Sequence, residues 1–408
     1  MKNGENFRAK YDLKELELNS LLEITQAIND NLPEEKLYKI YDFTVRGNLN
    51  IKKLALYVLD DKWECKVNFG TEVKFSEQPF DEQFLSYKKI QNLTKLDNSI
   101  FYEFQKIVPI THKDKNLAFA FISGYEEVKE KDINTNFIQA LSNIIIVAIE
   151  NKKLARKQIE QEMIKRELEI AGNLQKFLFP KKLPYNDEIK VASFYQPHHS
   201  IGGDYYDFIE ISNNQILFCI ADVSGKGIPA ALLMSNFQAS LRTLSRQTNL
   251  LQEIITELNY LVMSNAEGQH FITFFVAIYD KKSKRLKYVN SGHNPPILAK
   301  KDGSVELLTE GSTVLGAFKE LPFLNVGIIE NLEEFLFCSF TDGLTEITNS
   351  QGEEFGDSEI LKVVKENVEY DPIELNSLII NKMEKFKGEN NLKDDITLFT
   401  CKIESSKL

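Results

Sequence analysis

Four aspartates, each ending an apolar, strand-like run at a tight turn, constrain the second half of this 408-residue chain more than any other feature. They lie in Gly202-Gly203-Asp204-Tyr205-Tyr206-Asp207-Phe208, Ala221-Asp222-Val223-Ser224-Gly225-Lys226-Gly227, Thr341-Asp342-Gly343 and Asp394-Asp395-Ile396-Thr397. A carboxylate at one strand end means little. Four of them, most beside a glycine, predict acidic groups that converge on a hard divalent cation such as Mg2+ or Mn2+. An unpaired cluster of this kind repels itself at neutral pH and takes up protons, a penalty that a cation removes. The flanking glycines let the backbone come close and expose carbonyl oxygens.

Composition narrows the setting. The formal net charge of -11 argues against an extended phosphate-backbone surface, so no nucleic-acid partner is expected. Cys219, Cys338 and Cys401 each sit within an apolar run, as buried thiols do, and no CxxC pair suggests zinc or a redox couple. The start, Met1 to Tyr11, is charged, and no window approaches 18 uninterrupted apolar residues. These features read as a cytoplasmic protein with no membrane partner.

Periodicity divides the chain in three, with an α+β fold overall. Helical patterns over Leu13–Ile28 and Pro33–Val45 precede β-like runs at Lys53–Leu59, Trp63–Phe69, Ile107–Ile110 and Leu117–Ser123. A further helix begins near Asn134. This order predicts an antiparallel sheet covered by helices over residues 15–150. Residues 151–180 are dense in Lys, Arg, Glu and Gln. Leu154, Ile159, Ile164, Leu168, Ala171, Leu174 and Leu178 keep roughly to one stripe. They fit either a solvated connecting helix or a short parallel coiled coil that ends at Pro180 and Pro184. From Ile189, strand patterns dominate, interrupted by helices after Pro229 and over Leu250–Ala266; sheets stacked between helical layers are expected across residues 181–405.

Five motifs stand in order: the Gly202–Asp207 run, Ala221-Asp222-Val223-Ser224-Gly225-Lys226-Gly227-Ile228-Pro229-Ala230-Ala231, Tyr288-Val289-Asn290-Ser291-Gly292-His293-Asn294-Pro295-Pro296, Thr341-Asp342-Gly343-Leu344-Thr345-Glu346, and Asp394-Asp395-Ile396-Thr397. On these residues the second half resembles a bacterial PP2C-type (PPM) serine/threonine phosphatase of the SpoIIE/RsbU branch. The resemblance implies an αββα sandwich around two Mn2+ or Mg2+ ions and hydrolysis of phosphoserine or phosphothreonine by a metal-activated water. It implies that Asp222 bridges the ions, with the carbonyl of Val223 completing one shell, that Asp204 holds one ion, and that Asp342 and Asp394 hold the other. Asp395 is expected to point the other way along its strand, and Asp207 to support the turn more than to bind metal.

Other residues in these motifs stay open. Lys226 is a point charge for a substrate phosphate or a solvated loop lysine. His293 is a turn-stabilising residue or a general acid, and Glu346 a cap or a catalytic group. Ser224 reads as a turn former, and His198 and His199 as loop residues. No counterpart of a positively charged phosphate anchor is evident. The first half resembles a GAF domain through its helix–strands–helix order and Leu21–Ile28. That leaves a small-molecule sensor, a protein-binding module, a dimerisation platform or a ligand-free relic. The branch implies a phosphorylated STAS-domain anti-sigma-factor antagonist as substrate and a homodimer formed through the GAF-like unit and the linker helix. The competing functions are a non-catalytic pseudophosphatase that binds a partner and a metal-dependent nucleotide phosphodiesterase.

Overall fold

The computed structural model of the chain describes residues 2–49, 51–93, 100–112, 115–124, 134–266 and 268–405. Its contacts separate into two compact units, Met1–Glu162 and Met163–Leu408.

The first unit opens with α1 (Lys2–Asn29) and α2 (Glu34–Asn48). Five strands follow: β1 (Ile51–Leu59), β2 (Trp63–Phe69), β3 (Gln91–Asn92), β4 (Lys106–His112) and β5 (Lys115–Gly124). They form one antiparallel sheet in the order β2-β1-β5-β4-β3. Strand alternation gives the sheet two apolar faces. In β1, Leu54, Leu56 and Val58 join the helical core with Tyr41, Ile138 and Leu141, whereas Ala55 and Tyr57 join a second core of Phe75, Phe84, Phe101, Phe119 and Phe121. Burial on both faces explains why β1 reads as a continuous apolar run. The helix α1 extends well before the predicted Leu13, through a charged stretch that apolar periodicity cannot register.

One 41-residue helix, α3 (Thr135–Gln175), continues the last helix of the first unit through the charged segment. Leu154, Ile159, Met163, Ile164, Ile170 and Leu174 are exposed along it. It stops at Gln175, before the prolines that were expected to end it. A 3-10 turn, Lys176–Leu178, tightens the chain there. Phe179 then turns inward, with its ring 4.8 Å from that of Tyr195 and 5.1 Å from that of Tyr206.

The second unit holds β6 (Ile189–Gln196), β7 (Tyr205–Glu210), β8 (Gln215–Val223), α4 (Ile228–Gln247), α5 (Leu251–Ala266), β9 (Ile272–Asp280) and β10 (Arg285–Ser291). Next come β11 (Ile297–Lys300), β12 (Val305–Leu307), β13 (Gly311–Ser312), β14 (Gly327–Ile329) and β15 (Phe335–Phe340). It closes with α6 (Asp342–Thr345), α7 (Asp357–Glu366), α8 (Pro372–Lys387) and β16 (Ile396–Ile403). One sheet runs β13-β10-β9-β8-β7, with β14 also on β10; the other runs β12-β11-β15-β16-β6. Their facing sides meet through Phe218 and Phe337, 4.7 Å apart, and through Tyr206 and Phe399, 5.9 Å apart. Outside the first sheet α4 packs Phe237 edge-on against Phe274. Outside the second, Ile360 of α7 and Ile379 and Met383 of α8 share a core with Cys338 and Leu398. The result is an αββα sandwich. The short strands β11–β14 escaped the sequence pattern, because brief elements between turns give too few periods to register; the helices α7 and α8 were not anticipated either, although α8 runs 16 residues. Cys219, Cys338 and Cys401 are buried free thiols, as their apolar settings predicted.

Candidate active site

Strand alternation sorts the aspartates. Phe218 and Asp222 are four residues apart in β8, so both project toward the opposing sheet. Asp204 and Tyr206 share that side of β7, while Tyr205 and Asp207 point the other way. Asp204 is 1% exposed, and its Oδ2 accepts hydrogen bonds from Thr341 Oγ1 at 2.8 Å and Thr397 Oγ1 at 2.6 Å. These threonines are locked together: Thr397 N donates to Thr341 Oγ1 and Thr341 N to the Thr397 carbonyl. Thus Thr341, just past β15, and Thr397 of β16 hold a carboxylate that the other sheet delivers at the start of β7. The Val223 carbonyl faces this turn, and a Cβ on Gly203 would stand 2.9 Å from it. A side chain at Gly203 would push the two apart.

The electrostatics are those of a crowded acidic site. Burial raises the Asp204 carboxyl well above its usual range, and the charges of Asp222 and Asp395 add to this. Asp222 is raised by burial and by the charges of Asp342 and Asp394. Asp342 is raised by burial, Glu346 and Asp394. Lys226 supplies a counter-charge, with Nζ 2.9 Å from Asp394 Oδ2 and a hydrogen bond to the Lys393 carbonyl.

Among the described residues, the side chains do not gather three His, Cys, Asp or Glu groups around one point. The counter-charge beside them is the Lys226 ammonium, monovalent where a divalent cation is expected. The donors are all hard oxygens, which fits Mg2+ or Mn2+ by ligand type.

The remaining expectations resolve individually. Asp395 accepts the amides of His198 and Gly203, both at 2.7 Å, and so braces the 198–203 loop. Asp207 lies apart from the acidic cluster. It is fully buried and accepts Arg242 Nε at 2.7 Å and Nη2 at 3.1 Å, besides the Tyr205 hydroxyl and the Phe208 amide. Arg242 itself was not anticipated; only its place on α4 opposite β7 reveals it. Nor were Thr341 and Thr397 singled out, although a polar residue within an apolar core strand was the available signal. Ser224 forms a turn, with Oγ accepting from the Phe271 amide. His198 and His199 lie in the loop with ring centroids 4.1 Å apart, and Glu346 is exposed beside Asp342.

His293 is a buried turn residue. Its amide and carbonyl both bond the Asn290 side chain, and Nδ1 is bonded to Thr273 Oγ1 at 3.0 Å. Thr273 pairs in register with Asp222, so the motif supports the strand beneath the carboxylate. Burial lowers the His293 pKa from 6.5 to about 3, keeping the ring neutral at pH 7. Between those limits the unfolded chain binds a proton that the folded chain refuses, so this contribution to stability is lost as pH falls. The stability gap between wild type and His293→Gln should therefore shrink by up to about 1.4 kcal/mol per pH unit below 6.5. Urea denaturation at several pH values measures this, and a constant gap would show that the ring is not held neutral.

A sandwich of two mainly antiparallel sheets between helix pairs, with aspartates crowded at its strand ends, defines the PP2C-type class of phosphatases, which are metal-dependent. The family model described as Stage II sporulation protein E (SpoIIE) matches residues 212–404. "Phosphoserine phosphatase RsbU" of Bacillus subtilis (strain 168) is 30% identical over 244 residues, which cover 59% of this chain and 71% of that protein. "Phosphoserine phosphatase RsbP" of the same organism is 28% identical over 190 residues, 46% of this chain and 47% of the relative. The solved SiaA-PP2C domain of Pseudomonas aeruginosa shares the fold, with a TM-score of 0.52 at 18% identity over 59% of this chain and 97% of that domain. The chain belongs to the SpoIIE/RsbU family of PP2C-type phosphatases. Its first unit lies outside the family match. Among the described residues, no helix is long and apolar enough to cross a membrane.

Proposed function

We propose that the chain is a metal-dependent protein phosphatase acting on phosphoserine or phosphothreonine, with a phosphorylated STAS-domain anti-sigma-factor antagonist as substrate. The observation that carries this reading is the acidic cluster of Asp204, Asp222, Asp342 and Asp394, in which burial and neighbouring carboxylates raise Asp204, Asp222 and Asp342 while Lys226 pairs with Asp394. Two Mn2+ or Mg2+ ions would be held by Asp204, Asp222, the Val223 carbonyl, Asp342 and Asp394. Bound there, such ions lower the pKa of water and withdraw charge from phosphoryl oxygens.

The chain's own groups set the geometry. Thr341 and Thr397 fix one oxygen of Asp204 and leave the other available. Asp395 and Gly203 hold the turn against Val223. Lys226, with a side chain 45% exposed, is free to leave Asp394 and offer a point charge to a phosphate. In the reaction, water adds to phosphorus, the bond from phosphorus to the serine or threonine oxygen breaks, and a proton passes to that oxygen. Neutral, buried His293 does not supply this proton.

We assign the first unit a GAF-like regulatory role, with dimerisation through it and α3, whose exposed apolar residues suit a second copy. Purified protein should hydrolyse p-nitrophenyl phosphate with Mn2+, lose that activity by at least about a hundredfold in EDTA, and regain it on adding Mn2+ or Mg2+. A phosphorylated STAS protein should be dephosphorylated far faster than in buffer. Metal binding without turnover of either compound would favour a pseudophosphatase, and turnover of a nucleotide diester alone would favour a phosphodiesterase.

A further inference from the structure

The end of α3 touches the loop that delivers Asp204. Gln175, 7% exposed, meets both backbone groups of Gly202: its Nε2 donates to the Gly202 carbonyl at 2.8 Å, and its Oε1 accepts the Gly202 amide at 3.2 Å. The side-chain amide thus pairs with the loop as a neighbouring strand would. One turn earlier in α3, Gly172 lies so close to the loop that a Cβ there would stand 2.0 Å from the Ser200 carbonyl. From the opposite side, Asp395 accepts the His198 and Gly203 amides. Residues 198–203 are therefore held between a helix end and a buried carboxylate, and the next residue is Asp204.

The helix end is itself anchored. Phe179 packs on Tyr195 and Tyr206, and Gln238 of α4 donates to the Leu178 carbonyl at 3.1 Å. Upstream, α3 is long and largely exposed. Successive helical residues are rotated by about 100°, so a small rotation of the last turn breaks a two-point contact that depends on direction. A loop released on this side loses its grip on the position of Asp204.

We propose that Gln175 is a positioning residue through which the end of α3 sets the metal affinity of the Asp204 turn. The proposal rests on the metal-dependent reading above and names where regulation of that site acts. It concerns affinity for the cation, which is measurable without any substrate.

The test uses the full chain and Mn2+ alone. Gln175→Met keeps the length and bulk of the side chain but removes both hydrogen bonds. Calorimetric titration should show the Mn2+ Kd weakened about tenfold or more, as loss of an outer support does at metal sites. Hydrogen exchange across residues 198–204 should quicken in the variant before metal is added. A purely structural role would lower the melting temperature without moving the Kd. A Kd within about twofold of wild type would overturn the proposal. Should the variant fail to fold, exchange in the wild-type chain decides, since a fast-exchanging Gly202 amide is incompatible with the clamp. Wild-type protein that binds no Mn2+ would instead overturn the metal-dependent reading and this proposal with it.

Discussion

Replacing Asp222 with Asn is expected to reduce Mn2+-dependent hydrolysis of p-nitrophenyl phosphate by about a thousandfold or more, since several kcal/mol of charge stabilisation depend on the cation site. The same substitution should make the metal-free protein more stable. Asp222 is raised by burial and by the charges of Asp342 and Asp394, and an acid whose pKa rises on folding destabilises the folded state once the pH exceeds its unfolded value. Asn removes that charge at similar shape. The two effects point in opposite directions, which separates a functional carboxylate from one that only holds structure. Steady-state kinetics with thermal melts at pH 8 in EDTA measures both. Undiminished turnover would remove Asp222 from the chemistry, and a lower melting temperature would contradict the repulsive cluster.

Arg242→Ala should be the most destabilising single change near the site. It leaves the Asp207 carboxylate, fully buried, with only the Tyr205 hydroxyl and the Phe208 amide. Stranding one member of a buried pair costs about 3–5 kcal/mol, and the Arg242 side chain, 39% exposed, brings the expectation down to about 2–4 kcal/mol. Arg242→Lys should recover little, because an ammonium cannot reproduce the two-pronged contact through Nε and Nη2. Urea denaturation with an unchanged m-value provides the measurement. A loss below about 1 kcal/mol would show that the pair is solvated like an ordinary surface bridge.

The Asp207–Arg242 pair also marks how far the sequence could be read. The resemblance already set Asp207 apart from Asp204 as a turn-supporting residue, and in the structure the two face opposite sides of the strand. The partner of Asp207, 35 residues away on α4, left no local trace. Thr341 and Thr397 stood out only as polar residues beside apolar runs: nothing in either segment states that the two hydroxyls meet on Asp204. Gln175 lay in a charged segment whose apolar stripe drew attention to other positions, and the expected stop at Pro180 hid the true end of α3. Lys226 was visible as a loop lysine, whereas its pairing with Asp394 was not.

By itself, the sequence determined the chemistry available and its order: hard oxygen donors at strand ends, glycines where the backbone must come close, and apolar runs sufficient for stacked sheets. Those properties belong to residue type and to the two-residue period of a strand. Only the tertiary structure decided which carboxylates share a site, which are neutralised by Arg242 or Lys226, and which turn α3 touches. Such choices depend on contacts between residues far apart in the chain, where burial and distance set the charge on each group.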